Sequence, residues 1–132
     1  MKREYSQIQP GDELPAASYK LDSSMVADYI KAVEETGDIY VNSGLVPPTA
    51  IAAYAIKALT QVFTVPPGTV HTSQSLEFLD TLNVGETITC QAQVNRKQER
   101  GRFRFLTIDL IVSNQDKRKV MTGKTSFVLP EV

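Results

Sequence analysis

Hydrophobic and polar residues follow a helical period in the first third of the chain. Apolar side chains between Met25 and Val33 recur at helical spacing, with charged side chains on the opposite side. A capping residue stands among residues 22–24, and Gly37 is placed to end the helix in a left-handed conformation. The pattern predicts an amphipathic helix over residues 22–37.

A second helix is predicted after a loop at residues 38–46. It begins at Pro47 and Pro48, which fit the first turn because an N–H has no helical partner there. Its middle reads Ala-Ile-Ala-Ala-Tyr-Ala-Ile-Lys-Ala-Leu and is apolar nearly all round. In a soluble protein such a helix is buried on most sides. The segment ends near Phe63, before Pro66-Pro67-Gly68.

The residues after Gly68 alternate as strands separated by turns. In the third of these strands the apolar residues change from odd to even positions between Phe105 and Leu106. This change predicts a bulge or burial on both faces. Before the first helix, the sequence predicts a short N-terminal strand, a turn and an extended segment. The predicted strands cover residues 69–79, 87–96, 103–112 and 120–129, with turns at 83–86, 99–101 and 114–116.

Long strands that follow one buried helix predict the fold class. A strongly curved antiparallel sheet wrapped round a single helix is the hotdog arrangement, an α+β fold. We expect one such domain over residues 1–132, since this length leaves little room for a second core. Its edge strands are expected to pair with a second copy, because an exposed edge is an aggregation liability.

Composition argues against several classes of protein. The formal net charge of −1 lacks the basic excess of a nucleic-acid-binding protein. The single cysteine, Cys90, allows no intrachain disulfide, and its alternating apolar neighbours predict a buried thiol rather than a nucleophile. No signal-peptide core and no membrane-spanning run are present, so we expect a cytoplasmic protein without a membrane partner. The sequence predicts no cofactor and no metal ligands.

Five short segments stand in order between residues 8 and 130. They read Gln-Pro-Gly-Asp-Glu-Leu-Pro at 9–15, Ala-Val-Glu-Glu-Thr-Gly-Asp at 32–38, Ser-Gln-Ser-Leu-Glu-Phe at 73–78, Val-Gly-Glu-Thr-Ile-Thr at 84–89 and Thr-Gly-Lys-Thr-Ser-Phe-Val at 122–128. Their order and spacing resemble the MaoC-like (R)-specific enoyl-thioester hydratases and dehydratases. The resemblance implies a hotdog that binds an acyl thioester of coenzyme A or of acyl carrier protein.

This resemblance implies candidate catalytic residues. The family adds water across a 2-enoyl thioester with an Asp and a His in a loop that reads Asp-x-Asn-Pro-x-His. These two side chains hold a water and move its proton, while N–H groups at the start of the buried helix polarise the thioester carbonyl. Asp38 stands at the Asp position, and a direct count places Ser43 at the His position. The loop has neither Asn-Pro nor His.

The entrance of the second helix also departs from the family pattern. Active members commonly read Ala-His-Gly where this chain reads Val-Pro-Pro-Thr over residues 46–49. Two prolines remove two N–H donors at the point where a carbonyl is gripped. Pro-Pro-Thr resembles instead the non-catalytic half of double-hotdog dehydratases or the non-catalytic subunit of heteromeric ones. In this helix Thr49, Ala50 and Tyr54 are predicted substrate contacts.

Two further features are open to more than one interpretation. His71, the single histidine, is interpreted as a packed or surface residue, with a catalytic role across a dimer interface as the alternative. Basic residues gather in two hairpins and are interpreted as solvated turns that protect strand edges. The alternative is attraction of coenzyme A phosphates or an acidic carrier protein, with Arg96 and Arg102 as substrate contacts.

The leading hypothesis is a degenerate hotdog subunit that binds an acyl thioester in a homodimer or in a heterodimer with a catalytic hotdog subunit. The first alternative is a stand-alone (R)-specific enoyl-CoA hydratase or 3-hydroxyacyl dehydratase that uses Asp38. A hotdog acyl-CoA thioesterase is the second alternative. It requires a carboxylate on or beside the buried helix, and residues 49–63 contain none.

Overall fold

The computed structural model describes residues 2–25 and 45–130. These residues form a 3-10 turn at Tyr5–Gln7, helix α1 at Pro48–Val62, and strands β1 at Glu13–Lys20, β2 at Val70–Phe78, β3 at Thr87–Arg100, β4 at Phe103–Asn114 and β5 at Lys119–Leu129. The predicted α+β class is therefore confirmed.

The five strands form one antiparallel sheet in the order β1-β3-β4-β5-β2. Helix α1 packs against β1, β3 and β4. We call the side of the sheet that faces α1 the inner face and the opposite side the outer face. A curved antiparallel sheet around one helix is the hotdog arrangement predicted from the order of elements.

The core lies between α1 and the inner face. Four apolar side chains of β4 are buried in alternation, because a strand turns every second residue to the same face. They pack with one face of α1, whose exposed side carries Ala53, Lys57 and Thr60. The prediction that this helix is buried on most sides is confirmed, because its exposed residues lie along one side only. The buried residues of β4 are Leu106, Ile108, Leu110 and Val112.

Of the two explanations for the change of phase in β4, a bulge in that strand is wrong. Burial on both faces is supported in part, since Phe105 and Ile111 on the outer face are half-buried. Register shifts between Val94 and Arg96, so Asn95 is an extra residue in β3, opposite Thr107 and Ile108. β4 itself alternates without interruption. The bulge therefore lies in the strand next to the predicted one, and β3 continues to Arg100, four residues past its predicted end.

The N-terminal segment forms a turn instead of the predicted strand. Residues 5–7 are a 3-10 turn, and Arg3 makes one isolated bridge to Phe63 at the end of α1. The predicted amphipathic helix begins at residues 23–25, where Asp22 Oδ1 accepts a hydrogen bond of 2.8 Å from the Met25 N–H. The remainder of that helix and the loop through residue 44 lie outside the described residues.

The two edges of the sheet differ in how they are protected. β1 contains Pro15, which has no N–H, and its register with β3 shifts between Leu14 and Ala17. β2 contains no proline, and Val70 and Phe78 are 57% and 40% exposed. Proline and irregular pairing protect an edge from further strands, so among the described strands β2 is the edge that lacks these protections.

No helix within the described ranges is long and apolar enough to cross a membrane.

Candidate functional site

The start of α1 is fixed against the turn that precedes β3. The Val46 N–H donates to the Leu82 carbonyl at 2.8 Å, and Leu45 forms an isolated bridge with Asn83. Pro47 is the N-cap residue and makes no side-chain capping bond. The backbone around the turn therefore sets the direction in which the helix entrance opens.

Hydrogen-bond donors are few at this entrance. Pro47 and Pro48 have no N–H, and the Ala50 N–H donates to the Pro47 carbonyl at 2.9 Å. This leaves Thr49, an exposed residue, whose N–H has no hydrogen-bond partner among the described residues. One free N–H at the positive end of the helix dipole can still polarise a carbonyl oxygen, with fewer donors than an ordinary helix start provides.

Asp80, between β2 and this entrance, is engaged elsewhere. The Thr81 N–H donates to its carboxylate at 2.8 Å, and Arg118 pairs with it at 3.0 Å. These hydrogen bonds, first that from Thr81 and then that from Arg118, hold the pKa of the Asp80 carboxyl below its ordinary value. A carboxylate that is ionised and already paired does not serve as a general acid.

The other predicted contacts on α1 have different surroundings. Ala50 is fully buried against the sheet. The Tyr54 ring lies half-buried, with its centroid 5.4 Å from that of Tyr19, whose hydroxyl donates to Gln61 at 3.0 Å. Of the three predicted residues, Thr49 alone is exposed at the helix entrance. Asp38 and Ser43 lie outside the described residues.

His71 lies on the inner face near the start of β2. Its Nε2 is 2.5 Å from the hydroxyl of Thr125, and its ring stacks on Phe127 with centroids 5.0 Å apart. Thr125 is fully buried, whereas His71 is exposed. β2 runs from the C-terminal end of α1 back towards its start, so within one chain His71 and the helix entrance lie at opposite ends.

Arg96 lies on the outer face, opposite Thr107. With Arg100, Thr72 and Ser73 it lines a cleft of about 360 Å³. Arg102 is exposed in the turn between β3 and β4. The sheet therefore separates Arg96 from the substrate contacts predicted on α1, and the structure does not bring the two groups together.

One cluster was missed by the sequence interpretation. Lys97 Nζ donates to the carbonyl oxygens of Tyr5 and Ile8, at 2.8 Å each. Arg104 donates to the carbonyl of Pro130 at 2.7 Å and lies 5.0 Å from the Tyr5 ring. These two cations hold the N-terminal segment and the end of β5 to the hairpin, so they are not solvated turn residues. With the bulge at Asn95 taken into account, the alternation of β3 places Lys97 on the inner face, and this is the signal that could have identified it.

Cys90 is buried in β3, as predicted. Burial raises the pKa of its thiol to about 12. Because the thiolate is the reactive form, this cysteine is a structural residue and not a nucleophile at neutral pH.

Comparisons with known proteins agree with this architecture. Residues 8–123 match the family described as FAS1-like, dehydratase domain region. No curated protein matches the chain in sequence. Among solved structures, an (R)-hydratase from A. caviae involved in PHA biosynthesis is 19% identical, with 93% of this chain and 98% of that chain covered and a TM-score of 0.80.

Two other solved structures are similar. An R-hydratase from Pseudomonas aeruginosa is 15% identical, with a TM-score of 0.82 over 97% of this chain and 86% of that one. A chain of the HadBC complex from Mycobacterium tuberculosis, a 3R-hydroxyacyl-ACP dehydratase, is 16% identical, with a TM-score of 0.71 over 90% and 96%. At these identities the likeness shows a shared fold.

Proposed function

Because this chain belongs to the hotdog family described as FAS1-like, dehydratase domain region, we propose that it binds an acyl thioester at the entrance of α1. The thioester is carried by coenzyme A or by acyl carrier protein. The free N–H of Thr49 and the helix dipole support this position, because both favour a carbonyl oxygen on which negative charge develops. The MaoC-like segments of the sequence support the same class of ligand.

We propose further that the chain is a degenerate subunit that works with a catalytic hotdog partner. The observation that carries this proposal is the chemistry of the helix entrance. Two prolines remove donors there, Asp80 is paired with Arg118, and the single histidine lies at the far end of β2. Addition of water requires a group that takes a proton and one that returns it. A second subunit would supply them.

The open edge of β2 supports a hotdog partner. Its exposed apolar residues and free backbone groups favour pairing with another strand of the same kind. HadBC, a complex of similar fold, provides a structural precedent for assembly of such chains. A cytoplasmic dimer, homomeric or heteromeric, is part of this proposal.

A stand-alone hydratase that uses Asp38 is the alternative, because Asp38 matches the Asp of the family loop. The thioesterase hypothesis is weaker, since α1 carries no carboxylate to direct at a thioester.

The experiment is an assay of crotonyl-coenzyme A hydration, with the chain alone and mixed with candidate hotdog subunits that carry Asp-x-Asn-Pro-x-His. We expect activity above that of the partner alone only in the mixture, and we expect Asp38→Asn in this chain to leave that activity unchanged. Activity of the lone chain that disappears with Asp38→Asn would establish the stand-alone hydratase instead. Hydrolysis without hydration would identify a thioesterase.

A further inference from the structure

We propose that His71 reaches across the open edge of β2 and hydrogen-bonds the acyl thioester held at the helix entrance of the neighbouring hotdog subunit. The inference rests on the proposed pairing with a catalytic hotdog subunit. It concerns the thioester at that subunit's own helix entrance, a second site beside the one proposed at α1 of this chain. Three features support the inference: the contacts that orient the His71 ring, its location on the inner face, and its position when β2 pairs with a neighbouring strand.

His71 is a positioned side chain on an otherwise open strand. The buried hydroxyl of Thr125 holds Nε2 at 2.5 Å, and stacking on Phe127 fixes the plane of the ring. Thr125 is the one polar residue that is fully buried in the described part of the chain. No hydrogen bond to Nδ1 is present among the described residues. The ring thus has one nitrogen that orients it and another that is available to a ligand.

The inner face of β2 lies beyond the area that α1 covers. His71 is opposite Phe127, and Phe127 is opposite Leu106, so all three share the inner face. Gln74, Leu76 and Phe78 follow on that face, and His71 and Gln74 are exposed. Because α1 packs mainly on β1, β3 and β4, this part of the inner face is left exposed beside the edge at which a second strand would pair.

Edge pairing limits where His71 can lie. Two antiparallel β2 strands that extend one sheet place inner residues opposite inner residues. Between Ser73 and Phe78 the inner positions are even-numbered. When even positions pair with even positions, the two-fold axis between the two β2 strands passes through a residue and not between two residues. If this axis passes through Ser75 or Leu76, nearly all residues of β2 are paired with the neighbouring strand. Because Thr72 is an extra residue in β2, these registers place the inner-facing His71 opposite position 78 or 80 in a neighbour of the same fold.

Residues 78–81 lead from the end of β2 into the helix entrance. Leu82 follows them, and its carbonyl accepts the hydrogen bond from Val46 that fixes the start of α1. His71, far from the entrance in its own chain, therefore lies beside the entrance of its neighbour. There Nδ1 is placed to accept from, or donate to, the amide or carbonyl groups of the acyl carrier arm.

The test uses the active mixture of the full chain with its catalytic partner and crotonyl-coenzyme A as substrate. His71→Phe keeps a ring on Phe127 and removes both nitrogens, and Thr125→Val removes the hydroxyl that orients the imidazole. Glu77→Gln, on the outer face of the same strand, is the matched control. We expect both inner-face variants to raise KM about five- to tenfold, the effect of one lost hydrogen bond, with kcat and its pH profile unchanged.

Each outcome separates this proposal from the function on which it rests. An unchanged KM in His71→Phe, with a mixture that remains active, overturns the contact and leaves the proposed function intact. Loss of the complex in size-exclusion chromatography also overturns it, because the residue would then act through assembly. An inactive wild-type mixture overturns both proposals. An active lone chain overturns the degenerate-subunit function, and His71→Phe in that chain's own dimer then tests the contact directly.

Discussion

Lys97 Nζ lies 4.2 Å from the centroid of the Tyr5 ring and donates to the backbone carbonyls of Tyr5 and Ile8. Ninety-two residues of sequence separate Lys97 from Tyr5. This one ammonium group therefore joins the N-terminal turn to the far end of the β3–β4 hairpin, where Tyr5 and Ile8 are buried.

Replacement of Lys97 by Met should destabilise the fold by about 1–3 kcal/mol, because two carbonyls lose charge-assisted hydrogen bonds and the ring loses its cation. Urea unfolding monitored by circular dichroism measures the change. Arg96→Met is the control, because Arg96 precedes Lys97 and lies on the outer face. This substitution should change the free energy of unfolding by less than about 0.5 kcal/mol. Equal effects of the two substitutions would contradict the role of Lys97.

Gly123 permits β2 to approach β5 closely. A Cβ at this position would lie 2.7 Å from Leu76 Cδ2 and 3.1 Å from the Ser75 carbonyl oxygen. Gly123→Ala should therefore cost about 1–3 kcal/mol, as overpacking does in a filled core. In a Leu76→Ala background, which removes the nearest atom, the additional cost of Gly123→Ala should be clearly smaller. A double-mutant cycle with no coupling energy would refute this explanation.

The buried thiol of Cys90 predicts a loss of stability at alkaline pH. Its folded pKa is raised to about 12 from an ordinary 9.0, so above pH 9 the unfolded chain releases this proton and the folded chain keeps it. The unfolded state is then favoured as pH rises towards the folded pKa. Between pH 8 and pH 10 the wild-type chain should lose roughly 1 kcal/mol more than Cys90→Ala. Parallel pH dependences in urea unfolding would show that this thiol does not contribute.

The edge of β2 predicts a substitution that weakens association. Leu79 is 47% exposed at the end of this edge, and a lysine there places a desolvated charge in the pairing surface. Leu79→Lys should raise the Kd for the hotdog partner, or for a second copy, by about tenfold or more. Phe103→Lys, at a residue 56% exposed near the hairpin turn, is the control. Sedimentation velocity measures both, and equal dissociation would assign the interface to another surface.

Alternation of side chains along the strands was sufficient to predict most of the sheet. Ile88 to Val94 and Leu106 to Val112 alternate because one face of each strand meets α1. After Asn95 the residues from Arg96 to Arg100 are all polar, so hydrophobicity no longer indicates which face of the sheet each side chain is on. In β4, apolar residues on the outer face resembled a change of phase, so the sequence predicted either a bulge there or burial on both faces.

The candidate site was less predictable, because its geometry depends on residues distant in sequence. Pro47 and Pro48 were recognised from local chemistry, and the structure places them at the helix start. By contrast, the contact of His71 with Thr125 joins two strands 54 residues apart, and pairing of β2 with β5 had to be known first. The separation of Arg96 from α1 likewise follows from the two faces of the sheet and from no local pattern.

Protection of a single edge has a consequence for the size of the assembly. A sheet that offers two open edges can add subunits at both sides and grow into a filament. Among the described strands, Pro15 and the irregular register of β1 protect one edge and leave β2 as the other, so each subunit would have a valence of one in the proposed pairing. Pairing through β2 uses that valence completely. If the subunits pair through β2 as proposed, assembly by strand addition therefore terminates at a closed pair.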